Sequence, residues 1–412
     1  MRAAEAGARA DGELEIPGMT RSVLLVTPVW TRDGGVATHV EASAAALARA
    51  GVEVHVLAVR DESERSMEGV TVHASPELFR TELQPERRIG SALSREYSVI
   101  HTHQFEDPQV TAYLQRRAPL LSSVHGFSNC TSGVHYFRPG EECQRAHGPG
   151  CVPNLIARGC AHTRDPRWLP RSYRRATDAR ASLRRSDLTI TYSSAIDRHM
   201  AVNGVSRRAI VPLFSTVPAV QGSGHDGRRR VLFAGRLVRP KGADVLLRAA
   251  RDVDAEFVIC GEGKQLDALR RLALRLGVHE RVSFTGWLSA ERLGHELAEA
   301  SVVAIPSLWP EPFGMIGIEA FAAGRPVVAS ATGGVGDWLE DGRSGLGVPA
   351  GDVRALSGAL SQLLADPARQ REMGAAGRVA VSERFTEERH VAALLDAYET
   401  ATRTWQQRNE RR

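Results

Sequence analysis

Lysine is almost missing from this chain: of its 53 basic residues only Lys241 and Lys264 are lysines, and arginine fills every other place. Such a ratio fits a GC-rich genome that uses arginine wherever it will serve. The lysines that survive are therefore candidates for a task suited to a compact point charge. Also missing is any apolar run of the ~18 residues a membrane-spanning helix needs. Residues 1–19 carry acidic residues and no apolar core, which argues against a secretion signal; they read as a disordered leader, and the cytoplasm is the expected compartment. What is present is ordinary for a globular protein. At 412 residues, 42% hydrophobic and 25% charged, the chain is long enough for two domains.

Apolar strands alternate with amphipathic helices, the pattern of a parallel sheet covered on both faces. Strands are expected at Ser22–Thr27, Glu53–Ala58, Ser98–Thr102 and Leu120–Val124, with a helix at Val36–Ala50. The rhythm restarts at Val231–Ala234 and runs through Phe257–Cys260, Val282–Thr285, Val302–Ile305 and Pro326–Ala329. This predicts an α/β protein of two Rossmann-like halves. The expected limits are 20–220 and 231–386, joined by the Gly- and Arg-rich linker 221–230 where the hydrophobic pattern disappears, with a last helix in 387–412.

The segment between Pro306 and Gly324, PSLWPEPFGMIGIEAFAAG, carries the most chemistry. Glu311 sits in a loop and Glu319, after seven intervening residues, about two turns into a helix. With a helix start near Gly314, the free N–H groups of Phe313, Gly314, Met315 and Ile316 and the positive end of the helix dipole suit a phosphate. Glu311 and Glu319 can accept hydrogen bonds from sugar or ribose hydroxyls on either side of it. A nucleotide sugar offers that set of groups.

Each half also has a glycine-marked first turn. Gly34-Gly35 lies between a strand and a helix, where a Cβ would obstruct a phosphate. Gly235-Arg236 is followed by Lys241-Gly242; Arg236 can fork across two phosphate oxygens while Lys241 adds a point charge. His125 ends a strand that should open into the cleft between the halves. His101 and His103 also end a strand and are expected on the acceptor side of the cleft. Asp252-Val253-Asp254 precedes a strand, away from the ends where ligands bind, and reads as a turn. Gly261-Glu262-Gly263-Lys264 lacks the spacer of a phosphate-binding P-loop.

These motifs, in this order from about Ser22 to Thr400, resemble the retaining glycosyltransferases of family 4, which have the GT-B fold: two Rossmann-like domains facing across a cleft. The resemblance rests on the Glu-x7-Glu pair Glu311/Glu319, the Gly-Arg…Lys-Gly signature at Gly235 to Gly242, the glycine loop at Gly34-Gly35 and His125. It implies that Gly34, Gly35, Arg236 and Lys241 hold the diphosphate of a UDP- or GDP-sugar. Glu319 would hold the ribose, Glu311 a donor-sugar hydroxyl, and His125 would stand beside the donor sugar. It also implies retention of anomeric configuration, by front-side attack without a covalent enzyme intermediate or a required cofactor. The last helix would pack back on the first domain. In Gly333-Gly334-Val335-Gly336-Asp337, Asp337 stands where the family more often has glutamate.

Cys130, Cys143, Cys151 and Cys160 bunch in an insertion at about 127–172, while Cys260 sits alone in a strand. Four thiolates could form a structural zinc knot; free or paired cysteines are the alternatives. Residues 161–185 hold eight arginines and two aspartates, a local excess that could rest on an anionic membrane, bind an acidic acceptor or be a solvated face. No reading motif for nucleic acid accompanies them. Two other classes stay open: a nucleotide-sugar epimerase of related architecture, and a zinc-stabilised binding protein without catalysis.

Overall fold

The computed structural model describes residues 20–28, 30, 35–59, 67–105, 107–133, 141–158, 160, 167–218 and 229–411. The leader 1–19, Gly34 and most of the expected linker lie outside them.

The first half is a parallel sheet of β1 (Ser22–Val26), β2 (Glu53–Ala58), β3 (Val70–Ala74), β4 (Val99–His103), β5 (Leu120–Val124), β6 (Leu188–Thr191) and β7 (Arg208–Ile210), in the spatial order β3-β2-β1-β4-β5-β6-β7. The second contains β8 (Arg230–Ala234), β9 (Glu256–Cys260), β10 (Val282–Gly286), β11 (Val302–Ile305), β12 (Val327–Ser330) and β13 (Gly345–Val348), ordered β10-β9-β8-β11-β12-β13. Central strands such as β1, β4 and β11 are buried at every position, because helices cover both faces. Edge strands β3 and β10 mix half-buried with exposed residues. β3, β6, β7 and β13 are not picked out by the sequence pattern. β3 and β7 are edges with little apolar signal, while β6 and β13 are four residues long and alternate apolar with small or polar residues.

In both sheets the strand order reverses beside the first strand of the half, between β1 and β4 and between β8 and β11. The crevice beyond the carboxyl ends of the strands at such a point is where open α/β sheets take ligands. The final helix, Glu387–Glu410, returns to the first half. Its Tyr398 and Ala401 are fully buried, His390 Nδ1 donates to the Pro212 carbonyl (2.8 Å), and Trp405 Nε1 donates to the Gln115 carbonyl (2.8 Å). An apolar cluster thus runs from β1 and β2 through Tyr398 and Phe385 to Phe313 and β11.

Candidate active site

Among the candidate site residues, Glu311 and Lys241 are brought together as an ion pair. Lys241 Nζ lies 2.8 and 2.9 Å from the two Glu311 carboxylate oxygens, and Trp309 Nε1 donates to Oε1 at 3.1 Å, with the Ser307 hydroxyl on the same oxygen. Glu311 is 1% exposed. Burial alone would push its pKa up, but the Lys241 charge and the three side-chain donors outweigh it and hold the carboxyl below its ordinary value. The geometry depends on Gly242, left-handed at φ 70°, where a Cβ would stand 1.9 Å from the Pro306 carbonyl oxygen. Only a glycine lets the Lys241 turn pack against the end of β11. Ser307 and Trp309 were not singled out by the sequence reading; their closeness to Glu311 in SLWPE was the available signal.

Glu319 is different. It lies in the helix Met315–Ala322, is 9% exposed, and has the Thr216 hydroxyl 3.5 Å away. Burial pushes its carboxyl up to about 7, opposed only by Thr216. The helix opens at Met315 after a left-handed Gly314, so the N–H groups of Gly314, Met315 and Ile316 precede the intrahelical ladder. Phe313, expected among the phosphate-facing residues, anchors this corner: its ring is buried, and its carbonyl accepts Trp338 Nε1–H at 2.7 Å. Trp338 in turn lies so close to the helix that a Cβ at Gly317 would come within 2.4 Å of it.

Arg236 is exposed beyond β8. Its loop is backed by Gly261 and Gly263, where a Cβ would meet the carbonyl oxygens of Gly235 at 2.0 Å and Leu237 at 2.4 Å. On the first half, Gly35 starts the helix Gly35–Arg49 with open space where a Cβ would be; the role of Gly34 falls outside the described residues.

His125 follows β5 and is half-buried, its Nε2 3.1 Å from His103 Nδ1 and its ring against Tyr192. Burial first, then His103, takes its pKa well below the ordinary value, so the ring is neutral near pH 7. His101 and His103 are not on the acceptor wall. Both are buried, because β4 is a central strand; His103 lies behind His125, and His101 bonds Tyr398 (3.0 Å) and Ser123 (2.7 Å). His39 and His390, joined through Ser43, extend this neutral cluster.

Asp337 spans the two halves, accepting from Ser194 N (2.7 Å) and Ser194 Oγ (2.6 Å). Asp252–Asp254 lies ahead of β9, at the end of the sheet away from the site. The zinc expected on Cys130, Cys143, Cys151 and Cys160 finds no ligand set: among the described residues no three His, Cys, Asp or Glu side chains are placed to hold a metal. Burial first, then neighbouring Cys130, pushes the Cys160 thiol up to about 11, and burial raises Cys143. The basic helix Trp168–Arg185 buries Ala176, Ala179 and Leu183 and leaves Arg171, Arg174, Arg175, Arg184 and Arg185 exposed. Arg180 is used internally, on the carbonyls of Asn203 and His147. Among the described residues no helix is long and apolar enough to cross a membrane.

Comparison with known proteins decides the family. The model of Glycosyltransferase Family 4 matches residues 33–213, and that of Glycosyl transferases group 1 matches residues 220–380. The chain belongs to glycosyltransferase family 4. It is 31% identical over 328 residues to a D-inositol 3-phosphate glycosyltransferase of Xylanimonas cellulosilytica, covering 74% of this chain and 73% of that one. It is 41% identical over 159 residues to a GDP-mannose-dependent phosphatidylinositol monomannoside mannosyltransferase of Mycolicibacterium smegmatis, a match to 36% of this chain and 42% of that one. Anabaena HepE, solved with UDP and glucose, shares the fold at TM-score 0.68 and 18% identity over 91% of this chain and 98% of its own. This family 4 protein is thus a glycosyltransferase with the GT-B fold.

Proposed function

We propose that the enzyme transfers a hexosyl group, with retention, from a UDP- or GDP-sugar held by the second half (231–386) to a hydroxyl of an acceptor held by the first (20–220). The observation that carries this reading is the Glu311–Lys241 pair beside the Met315 helix start, with Glu319 a few ångströms of helix further in and Arg236 on the neighbouring loop. Arg236, Lys241 and the Gly314, Met315 and Ile316 amides meet the charge that builds on the leaving diphosphate. Glu319 takes the ribose and Glu311 a donor-sugar hydroxyl.

Retention without a covalent intermediate suits the state of these carboxylates. Glu311 is committed to Lys241, Ser307 and Trp309, and Glu319 is buried beside Thr216, so neither is presented as a free nucleophile. A neutral His125, fixed by His103, orients a sugar hydroxyl by hydrogen bonding. Relatives named for inositol 3-phosphate and for phosphatidylinositol monomannoside make phosphorylated polyols the first acceptors to try. The exposed arginines of Trp168–Arg185 offer such an acceptor, or the anionic face of a membrane, a basic surface.

Calorimetric titration with UDP, GDP and ADP and their sugar conjugates tests the donor site. One nucleotide is expected to bind selectively, about tenfold more weakly to Arg236→Ala, which loses a charge-assisted contact without disturbing the Glu311–Lys241 pair. Failure of folded protein to bind any of them refutes the proposal.

A further inference from the structure

The cysteine-bearing insertion belongs to the first half, yet one of its side chains reaches the second. Glu142 Oε1 accepts a hydrogen bond from the Gly333 N–H at 2.9 Å. Gly333 pairs with Glu311 in an isolated parallel bridge, and Gly334 N donates to the Glu311 carbonyl at 2.7 Å. The contact is close enough to require glycine at both positions. A Cβ on Gly333 would lie 2.3 Å from the Glu311 carbonyl oxygen, and one on Gly334 would lie 2.5 Å from that of Pro312 and 2.9 Å from Ser193 Cβ. The Gly333-Gly334 strap therefore fixes the Glu311 backbone from one side, and the strap itself is gripped by the first half.

Among the described residues, two hydrogen-bonded points make that grip. Asp337 holds Ser194 at the far end of the strap, and Glu142 holds Gly333 at the near end. Arg198 connects them, 4.0 Å from Glu142 and donating to Ser194 Oγ at 3.1 Å. We infer that Glu142 is a positioning residue: through the Gly333-Gly334 strap it sets the Glu311 carboxylate for the donor sugar, and so makes the insertion part of the donor site. This rests on the proposed role of Glu311.

Because Glu311 is assigned to the sugar and not to the nucleotide, the role has a specific signature. The readout is the gain in affinity of a nucleotide sugar over its free nucleotide, taken by calorimetry on the full chain. Glu142→Ala removes the acceptor for the Gly333 N–H and is expected to cut that gain about tenfold while free UDP or GDP binds as before and the melting temperature holds. Glu142→Gln keeps a carbonyl oxygen for Gly333 and is expected to retain most of the gain. Unchanged sugar gain in Glu142→Ala overturns the inference. So does an equal loss of nucleotide and nucleotide sugar in both variants, which marks a general disturbance of the fold. Absence of nucleotide binding by the unmodified protein refutes instead the proposed function on which the inference stands.

Discussion

Glutamine in place of Glu319 should make this protein more stable and a poorer nucleotide binder. Burial raises the Glu319 carboxyl from an ordinary 4.5 to about 7, and the nearest help, the Thr216 hydroxyl, is a long 3.5 Å away. Between those two pKa values the unfolded chain releases a proton that the folded chain keeps. Stability attributable to Glu319 is therefore fully present below about pH 4.5, falls as pH rises, and is lost once pH passes about 7. The span of about 2.5 units corresponds to about 3 kcal/mol at 1.36 kcal/mol per unit. Little of this is lost to solvent screening, since the residue is 9% exposed. Glu319→Gln keeps the shape and removes the ionisation. Its stability advantage over the unmodified protein should grow from under about 1 kcal/mol at pH 5 to about 3 kcal/mol at pH 8 in urea unfolding followed at both pH values, and the subtraction cancels every other titrating group. The same substitution replaces a carboxylate that can accept from both ribose hydroxyls, so nucleotide affinity should fall about tenfold. A stability difference that is flat with pH refutes the argument, because it means that burial does not hold the proton on Glu319.

Lys241→Ala should destabilise by about 3–5 kcal/mol, since it strands a buried Glu311 carboxylate; pairing it with Glu311→Ala should recover much of the loss, as urea titration of the single and double variants will show. The thiols give a further check. Cys130, Cys143, Cys151 and Cys160 are half-buried and unbridged, whereas Cys260 is buried in β9. A chromogenic thiol reagent should count four cysteines in the native protein and the fifth only after unfolding. A native count that rises only with chelator or reductant contradicts the arrangement of free thiols described above.

Much of the fold was legible in the sequence, because strands buried on both faces leave continuous apolar runs such as Val23–Val26 and Val302–Ile305, and the helices between them keep their own period. Glu311, Glu319, Arg236, Lys241 and His125 were candidates by type and spacing, because the ends of parallel strands are where open α/β sheets take ligands. Their partnerships could not. Sequence gave no reason to pair Lys241 with Glu311, and it placed His101 and His103 on a cleft wall although β4 lies in the middle of its sheet and buries them.

The order of apolar and polar residues by itself determined two parallel sheets, their glycine turns and the family to which the chain belongs. Those are properties of neighbours along the chain, where period and backbone freedom act. Tertiary structure alone decided that Glu311 is held ionised while Glu319 keeps its proton to about pH 7, that Asp337 grips Ser194, and that Glu142 reaches Gly333. Each of these depends on burial and on charges or N–H groups brought in from sequence-distant segments, across 191 residues in the case of Glu142 and Gly333. Solvent exclusion and proximity in space, which no local pattern encodes, set the chemistry of the site.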